Sequence, residues 1–492
     1  MMMLSKSDYM LYLAHPAWLW LKKHDKEKLP AIDDNTQATF DAGNLFEGYA
    51  EKLFGDGVRL GFTDYASYLA LPEQTMEALL GGAKTIFQAR FTAGQLTCIC
   101  DVIRVVGDKT FDLYEIKSST KAKPEHTTDL AFQAHVLRES GFTVRNISVV
   151  HVNNEYVRHG DINPKEFCTI TDVTSEVNAL SEATRIRAQE ALEVIQLQEM
   201  PDPSPALAAG SSFGDWLTIY KSLTNPSKDS IYYLCGLNAA KVKAFNEAGI
   251  EKIADIPDDF KLSPKQHKQA VAAKLDQQLI TLEPIQELLR SFEYPLYFLD
   301  YETLAGIVPP FEGMRPYQQV PFQYSLHILD TPDSALRHEE YLHREGTNPC
   351  KDVAEALRSH IGDKGTVLAW NMGFEKSCNK TLAEEVPELK DFLLDLNERM
   401  NDLMLPFSKL WFVDKEFCGS ASIKMVLPVL APHLSYKTLG IQEGASAQRL
   451  WMQGVIDGKD SIDKEVLFAD LLEYCKLDTL AMVEIFNVLR KL

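Results

Sequence analysis

Leu296-Tyr-Phe-Leu-Asp-Tyr-Glu302 is the stretch from which the fold is read. The apolar run Leu296 to Leu299 predicts a short buried strand that ends in Asp300-Tyr301-Glu302. Residues two apart on a strand face the same way, so the two carboxylates address one point. Working outward, Val367-Leu-Ala-Trp370 is a second such run and ends in Asn371-Met-Gly-Phe374-Glu375. Near the C-terminus, Ala469 to Val488 predicts a helix on which Tyr474 and Asp478 are four apart and share a face, beside Asp470 and Glu473. Taken singly, each motif reads as a strand-end turn or a helix-boundary pair. Together, acidic motifs at two strand ends and one helix predict a carboxylate cage, which suits two divalent ions about 3.5–4 Å apart.

The set resembles the DnaQ-like exonucleases of the RNase H fold, in their tyrosine-bearing DEDD subclass. Asp300 and Glu302 match the first motif, and Asn371 to Glu375 the second, with Glu where the family has Asp. Tyr474 and Asp478 match the third. The resemblance implies a 3'–5' exonuclease-type domain over 290–492, with metal on Asp300, Glu302, Glu375 and Asp478. Tyr474 would orient the attacking water. The longer Glu375 alters that geometry or marks lost activity, and Asp402 is the backup carboxylate. Phe322-Gln-Tyr-Ser-Leu-His327 and Gly419-Ser-Ala-Ser-Ile-Lys424 are expected to line the groove. There Lys424 would meet phosphate and Tyr324 would stack on a base.

The first 200 residues carry a different pattern. Asp41 to Phe54 predicts a helix with Leu45, Tyr49, Leu53 and Phe54 on its apolar face. Glu47 and Glu51, four apart, repel unless a cation lies between them; otherwise they form a solvated acidic face. Gln95–Val106 and Thr110–Ile116 flank the turn Gly107-Asp108-Lys109, the pattern of a hairpin. Asp101 and Glu115 are then carboxylates inside apolar strands, which is costly unless they are paired or hold metal. Lys117 shares a face with Glu115. Two carboxylates and a lysine suit metal-assisted phosphodiester cleavage, in which the ion activates water and the ammonium steadies developing charge.

Gly43, Glu47 and Glu51, then Asp101, Glu115-Ile-Lys117 and Asp129-Leu-Ala-Phe-Gln133, resemble the RecB-like branch of the PD-(D/E)XK nucleases in order and spacing. That resemblance implies catalytic roles for Glu51, Asp101, Glu115, Lys117 and Gln133, with metal on Asp101 and Glu115. The family's histidine near Glu47 is missing, and Leu137 stands where an aromatic is usual. His15-Pro16 replaces the Cys-Pro of iron–sulfur relatives, and only Cys168 remains of their later cysteine cluster. No iron–sulfur cluster is expected, since one needs four protein ligands. Ser5-Lys-Ser-Asp-Tyr9 and Trp18-Leu-Trp20 fit the start of a family that joins a RecB-like nuclease to an RNase H-like domain.

Pro201 to Ser212, rich in Pro, Gly and Ser, marks one boundary, and Glu283 to Tyr294 a softer one. The expected organisation is α/β throughout. A restriction-endonuclease-like domain spans 1–200, a helical linker 213–285, and an RNase H-like domain 290–492. In the linker, Tyr232 to Asn238 followed by a helix from Ala239 resembles a helix-hairpin-helix element. Asn238 takes the place of its second glycine, and Lys241 and Lys243 are its candidate nucleic-acid contacts. The alternative is a plain helical spacer.

At 492 residues, 45% hydrophobic and 24% charged, the chain reads as ordinary globular protein of roughly three domains. No apolar run reaches the roughly 18–20 residues of a membrane span, and Asp8 interrupts any signal-like segment. The expected location is cytoplasmic. The eight cysteines show no disulfide or zinc spacing, and Cys98 and Cys100 read as buried strand residues. Fifty Lys and Arg against seventy Asp and Glu give −20, which weighs against nucleic acid. Net charge sets solubility and steering, however, and does not locate a site. The expected function is a Mg²⁺- or Mn²⁺-dependent nuclease acting on single-stranded DNA or duplex ends, with RNA as an alternative substrate. The rival expectations are a nucleic-acid-binding scaffold with one or both centres inactive, and a protein-interaction module.

Overall fold

The computed structural model describes residues 2–492 as a mixed α/β protein with several sheets. The chain divides into two compact units. The first comprises the chain up to Asn225 together with Asn238–Ala240 and Ile307–Tyr317; the second comprises Pro226–Leu237, Lys241–Gly306 and Gln318–Leu492. The stretch 213–285 is thus shared between them, and Ile307 packs in a core with Phe46, Ala50 and Phe167 of the first unit.

The first unit opens with β1 (Leu4–Ser5), α1 (Lys6–Ala14), α2 (Pro16–His24) and α3 (Asp34–Ala50). Then come β2 (Val58–Arg59), α4 (Tyr65–Leu80), β3 (Thr85–Ala93), β4 (Leu96–Gly107) and β5 (Thr110–Lys117). It continues with α5 (Pro124–Glu139), β6 (Thr143–Val152), β7 (Cys168–Asp172) and α6 (Ser181–Gln196). Its sheet runs β2-β3-β4-β5-β6-β7, with β1 added alongside β4. The β4–β5 hairpin pairs Val102 with Tyr114, and β5 lies parallel to β6 with Glu115 opposite Val149. A parallel pair needs a crossover, and α5 supplies it. Leu130, Phe132, Ala134 and Leu137 of α5 pack into one core with Phe111, Leu113 and Ile147.

The expected helix over 41–54 is α3 followed by a tight 3-10 turn, Glu51–Phe54. Its buried positions are Phe46 and Ala50, four apart, whereas Leu45 is 55% exposed. One residue is about a quarter-turn, so a face centred on Phe46 and Ala50 leaves Leu45 outside.

The second unit contains α7 (Ala239–Glu247), α8 (Pro264–Leu275), β8 (Leu279–Ile280), β9 (Leu296–Leu304), β10 (Val320–Leu329) and β11 (Arg337–Leu342). These precede α9 (Cys350–His360), β12 (Thr366–Ala369), α10 (Gly373–Glu385), β13 (Met400–Asp402) and β14 (Phe412–Val413). Two further helices matter to the site, α11 (Ile423–Leu430) and the long α12 (Lys464–Leu489). The main sheet has the order β11-β10-β9-β12-β13, in which β9, β10 and β11 are antiparallel neighbours and β12 and β13 run parallel to β9. β8 and β14 form a small separate sheet.

β9 runs on to Leu304 and carries both Asp300 and Glu302 within the strand. Two expectations change here. Tyr324 cannot be a base-stacking platform. Every residue of β10 is buried, and the Tyr324 hydroxyl is spent on His360 Nδ1 at 2.7 Å. Phe322, from the same expected groove, stacks on Trp451 at 4.5 Å. A strand with neighbours on both edges and cover on both faces presents nothing to a ligand. Finally, Gly236 takes left-handed backbone (φ +61) but Asn238 does not. The loop therefore lacks the second left-handed position that Asn238 was expected to provide.

No helix among the described residues is long and apolar enough to cross a membrane.

Candidate functional site

Two clusters of buried carboxylates stand out, one in each unit, and they differ in how their charge is balanced. In the first unit, Glu115 and Lys117 project from β5, Asp101 from β4, and Asp129 and Gln133 from α5. Glu115 is almost wholly buried and both its oxygens are occupied. Oε1 accepts from Lys117 Nζ at 2.7 Å and from Lys6 Nζ at 2.7 Å, while Oε2 accepts from Gln133 Nε2 at 2.6 Å. Lys117 also donates to Asp129 at 2.8 Å, and Gln133 to Asp129 at 3.0 Å. Asp101 Oδ2 accepts the backbone N–H of Ile116 at 2.8 Å.

Burial works to raise Glu115, but the Lys117 and Lys6 ammoniums outweigh it and hold the carboxyl below its usual range. Burial, aided by the charge of Glu115, lifts Asp101 to about 7 against the pull of the same lysines. The expected group of Asp101, Glu115, Lys117 and Gln133 is therefore brought together. Lys6 was missed. It sits inside the quoted Ser5-Lys-Ser-Asp-Tyr9 segment, but nothing in local spacing ties it to a residue 109 positions away.

Glu47 and Glu51, whose reading left open a cation between them or a solvated acidic face, have a cation beside them. Arg59 from β2 ion-pairs with Glu51 and lies 3.8 Å from Glu47. Glu47 also accepts from Gln88 Nε2 at 2.6 Å. Gln88 itself sits in left-handed backbone (φ +57) between the ladder pairs Phe87–Val102 and Ala89–Cys100. Burial raises the Glu51 carboxyl despite Arg59.

In the second unit, Asp300 and Glu302 project from β9, Tyr474, Cys475 and Asp478 from α12, and Glu375 from α10. A cavity of about 470 Å³ is lined by Asp300, Glu302, Trp370, Lys424, Tyr474 and Asp478. One ligand atom each from Asp300, Glu302 and Cys475 lie within 4.8 Å of one another. Asp478 Oδ1 accepts from the Tyr436 hydroxyl at 2.6 Å. Lys424 sits 5.7 and 5.9 Å from the ring centres of Tyr436 and Tyr474, and its Nζ donates to the Gln442 carbonyl at 2.7 Å.

Burial is the main reason that these carboxyls rise. Asp300 is raised further by Asp478, Glu302 and Glu375. Glu302 reaches about 8, with Asp478 adding to the rise, and Asp478 itself reaches about 6 despite Tyr436 and Lys424. Burial also lifts the Tyr474 and Tyr436 hydroxyls, so both stay protonated.

Glu375 is not among the residues lining the cavity. It is 2% exposed, its Oε2 has no hydrogen-bond partner, and burial raises it to about 8. Asp402, the backup, spends Oδ1 on the N–H groups of Asn371 (3.0 Å) and Met404 (2.9 Å) and so braces the turn after β12. Cys475 and Tyr436 were missed. Cys475 is three residues from Asp478, a helical spacing that marked its face, whereas Tyr436 arrives from a distant segment. Of the linker lysines, Lys241 donates to the Lys261 carbonyl and Lys243 pairs with Glu247 at 4.0 Å.

The donor sets differ in fit for a divalent ion. In the second unit, three carboxylates face a cavity whose nearest cation, Lys424, already has a carbonyl partner; hard oxygen donors in excess fit Mg²⁺ or Mn²⁺. In the first unit Asp101 and Glu115 are of the right type, but lysines hold Glu115.

The fold and these clusters define an α/β protein with two buried acidic centres. The family described as "Domain of unknown function (DUF2779)" matches residues 297–422, which include Asp300, Glu302 and Glu375. The chain is similar to "Uncharacterized protein MG366 homolog" of Mycoplasma pneumoniae, at 26% identity over 210 residues, 39% of this chain and 32% of that protein. It is also similar to "Uncharacterized protein UU173" of Ureaplasma parvum, at 22% identity over 228 residues, 42% and 33% of the two chains. The matched region thus spans about a third of the length of these curated relatives.

Proposed function

We propose that the protein is a divalent-metal-dependent nuclease that hydrolyses phosphodiester bonds of DNA, with the second unit as its principal centre. The observation that carries this reading is the group Asp300, Glu302 and Asp478, buried together around an open cavity where Lys424 is a lining cation bonded to a backbone carbonyl. Buried like charges are retained at a cost, and a dication is the economical partner for them. The order β11-β10-β9-β12-β13, three antiparallel strands followed by two parallel ones, supports an RNase H-like assignment for this unit. The β4–β5 hairpin with its Glu115-Ile-Lys117 and the α5 crossover supports a restriction-endonuclease-like assignment for the first.

In this reading Asp300, Glu302 and Asp478 hold the ion, with Glu375 behind them. The ion supplies Lewis acidity toward phosphate and lowers the pKa of water. The chain's own groups do the positioning. The Tyr474 hydroxyl, kept protonated by its surroundings, orients a water by hydrogen bonding and does not act as a base. Lys424, at the cavity wall, meets a phosphate oxygen.

The test is cleavage of labelled single- and double-stranded DNA and RNA with Mn²⁺, Mg²⁺ or EDTA, comparing wild type with Lys117→Ala, Asp300→Ala and the double variant. Metal-dependent cleavage lost in Asp300→Ala supports the reading. A wild type that cuts nothing under any metal, yet binds nucleic acid, would support the scaffold alternative. That alternative draws on the first unit, where Glu115 is closed by two lysines and Gln133.

A further inference from the structure

Lys6 is placed with care by parts of the fold that do nothing else for the first unit's acidic cluster. β1 joins the sheet by pairing Leu4 with Leu96 and Ser5 with Thr97, which sets the position at which the chain enters α1. Ser5 caps α1 in a reciprocal capping box with Asp8. Asp8, 2% exposed, is clamped in turn by Lys22 at 2.9 Å and Lys23 at 2.6 Å from α2. The first residue of the helix so fixed is Lys6. Its ammonium reaches Glu115 Oε1 at 2.7 Å and lies 3.7 Å from Asp129.

One carboxylate oxygen therefore carries two ammoniums, and they are not equivalent. Lys117 is on the same strand as Glu115 and is shared with Asp129 at 2.8 Å. Lys6 comes from outside the strand, on the helix that follows β1, and both lysines keep part of their side chains exposed, 23% for Lys6 and 28% for Lys117. With all three carboxyls ionised, Asp101, Glu115 and Asp129 bring three negative charges against two positive ones from Lys6 and Lys117. A divalent ion added to that set leaves it net positive, and loss of one ammonium restores neutrality. Both ammoniums sit on the same Glu115 oxygen, and Lys6 is the one with a single close carboxylate partner, since it lies 3.7 Å from Asp129 where Lys117 lies at 2.8 Å.

We propose that Lys6 is an exchangeable counter-ion: it holds Glu115 while the first unit is free of metal, is displaced by an entering divalent ion, and then meets the substrate's phosphate. This rests on reading the first unit as a metal-dependent nuclease centre. It makes metal loading and nucleic-acid binding mutually reinforcing there, because phosphate gives the displaced ammonium a new partner. In the second unit Lys424 acts on Glu302 and Asp478 through space, but its ammonium is bonded to the Gln442 carbonyl.

The experiment is a Mn²⁺ titration of the full chain followed by the electron paramagnetic resonance of free Mn²⁺, in an Asp300→Asn, Glu302→Gln background that silences the second unit. Lys6→Met is expected to tighten the remaining site by about tenfold or more, the scale on which partners of a ligand tune metal affinity. Glu115→Gln should abolish binding. If Lys6→Met binds Mn²⁺ no more tightly than the background while Glu115→Gln still abolishes binding, the metal centre stands and the counter-ion role is overturned. If neither substitution alters the titration, the first unit holds no ion and both readings of it fall. A second measurement needs no substitution at Lys6: acetylation of Lys6 in the background protein, read by mass spectrometry, is expected to rise on addition of Mn²⁺. Unchanged Lys6 reactivity at saturating Mn²⁺ would likewise overturn the exchange.

Discussion

Asp300→Asn should make the metal-free protein more stable while removing its response to metal. Ligand atoms of Asp300 and Glu302 lie within 4.8 Å of each other, and Asp478 adds a third negative group. At an effective dielectric near 20, two unit charges 4.8 Å apart repel by about 3.5 kcal/mol. Burial and mutual repulsion raise all three carboxyls, Glu302 to about 8, so only part of that energy is present near that pH. A gain of about 1–3 kcal/mol is expected when Asn, nearly the same shape, replaces Asp300. For a unit of this size that corresponds to roughly 2–10 °C in Tm. In saturating Mn²⁺ the order reverses, because an ion at about a thousand times its Kd adds about 4.1 kcal/mol to wild type alone. The assay is thermal unfolding of both proteins in EDTA and in Mn²⁺, followed by a probe in the second unit such as Trp451 fluorescence. An Asp300→Asn protein that melts below wild type in EDTA would refute the claim that these carboxylates are in unrelieved repulsion.

Other consequences are open to similar tests. Tyr474→Phe should lower the cleavage rate by about a hundredfold, as loss of a positioned water predicts, and leave the Mn²⁺-induced rise in Tm intact. His327, buried against Thr479 and beside His338, is pushed down to about 3 by burial, then by His338 and Lys476. Its folded pKa is depressed, so stability is complete above the unfolded value near 6.5 and is lost as pH falls toward 3. Between pH 7 and 5 this histidine should cost about 2 kcal/mol, measured as the difference in urea-unfolding free energy between wild type and His327→Asn. Gly365 has φ +97, and a side chain there would strike the Pro295 carbonyl. Gly365→Ala should destabilise the second unit by about 3 kcal/mol or more, visible as a lower urea midpoint.

Much of the candidate chemistry was legible locally. Spacing alone put Asp300 with Glu302, Glu115 with Lys117 and Tyr474 with Asp478, because strand and helix periods decide which near neighbours share a face, whereas Asp129 and Gln133 were named only through the resemblance. The hairpin that carries Asp101 toward Glu115 was equally readable, since its turn and its two apolar runs are contiguous in the chain. Charge spacing left Glu47 and Glu51 either with a cation between them or as a solvated acidic face, and only the fold brought Arg59 to them.

Periodicity says little about what covers a face, and that is where the reading of Tyr324 and Leu45 went astray. An alternating or apolar run is the same whether its second face meets solvent, a helix or another strand; in β10 both faces are covered.

The sequence by itself determined the carboxylate pairs and the elements that carry them, because those relations are set by backbone geometry over a few residues. Only the tertiary structure decided their electrical state. Lys6 reaches Glu115 across 109 residues, Tyr436 reaches Asp478 across 42, and Cys475 comes beside Asp300 through the packing of α12 on β9. Whether a buried carboxylate is neutralised by a lysine or left facing an open cavity depends on these long-range approaches, since electrostatic energy is governed by distance in space and by the exclusion of water.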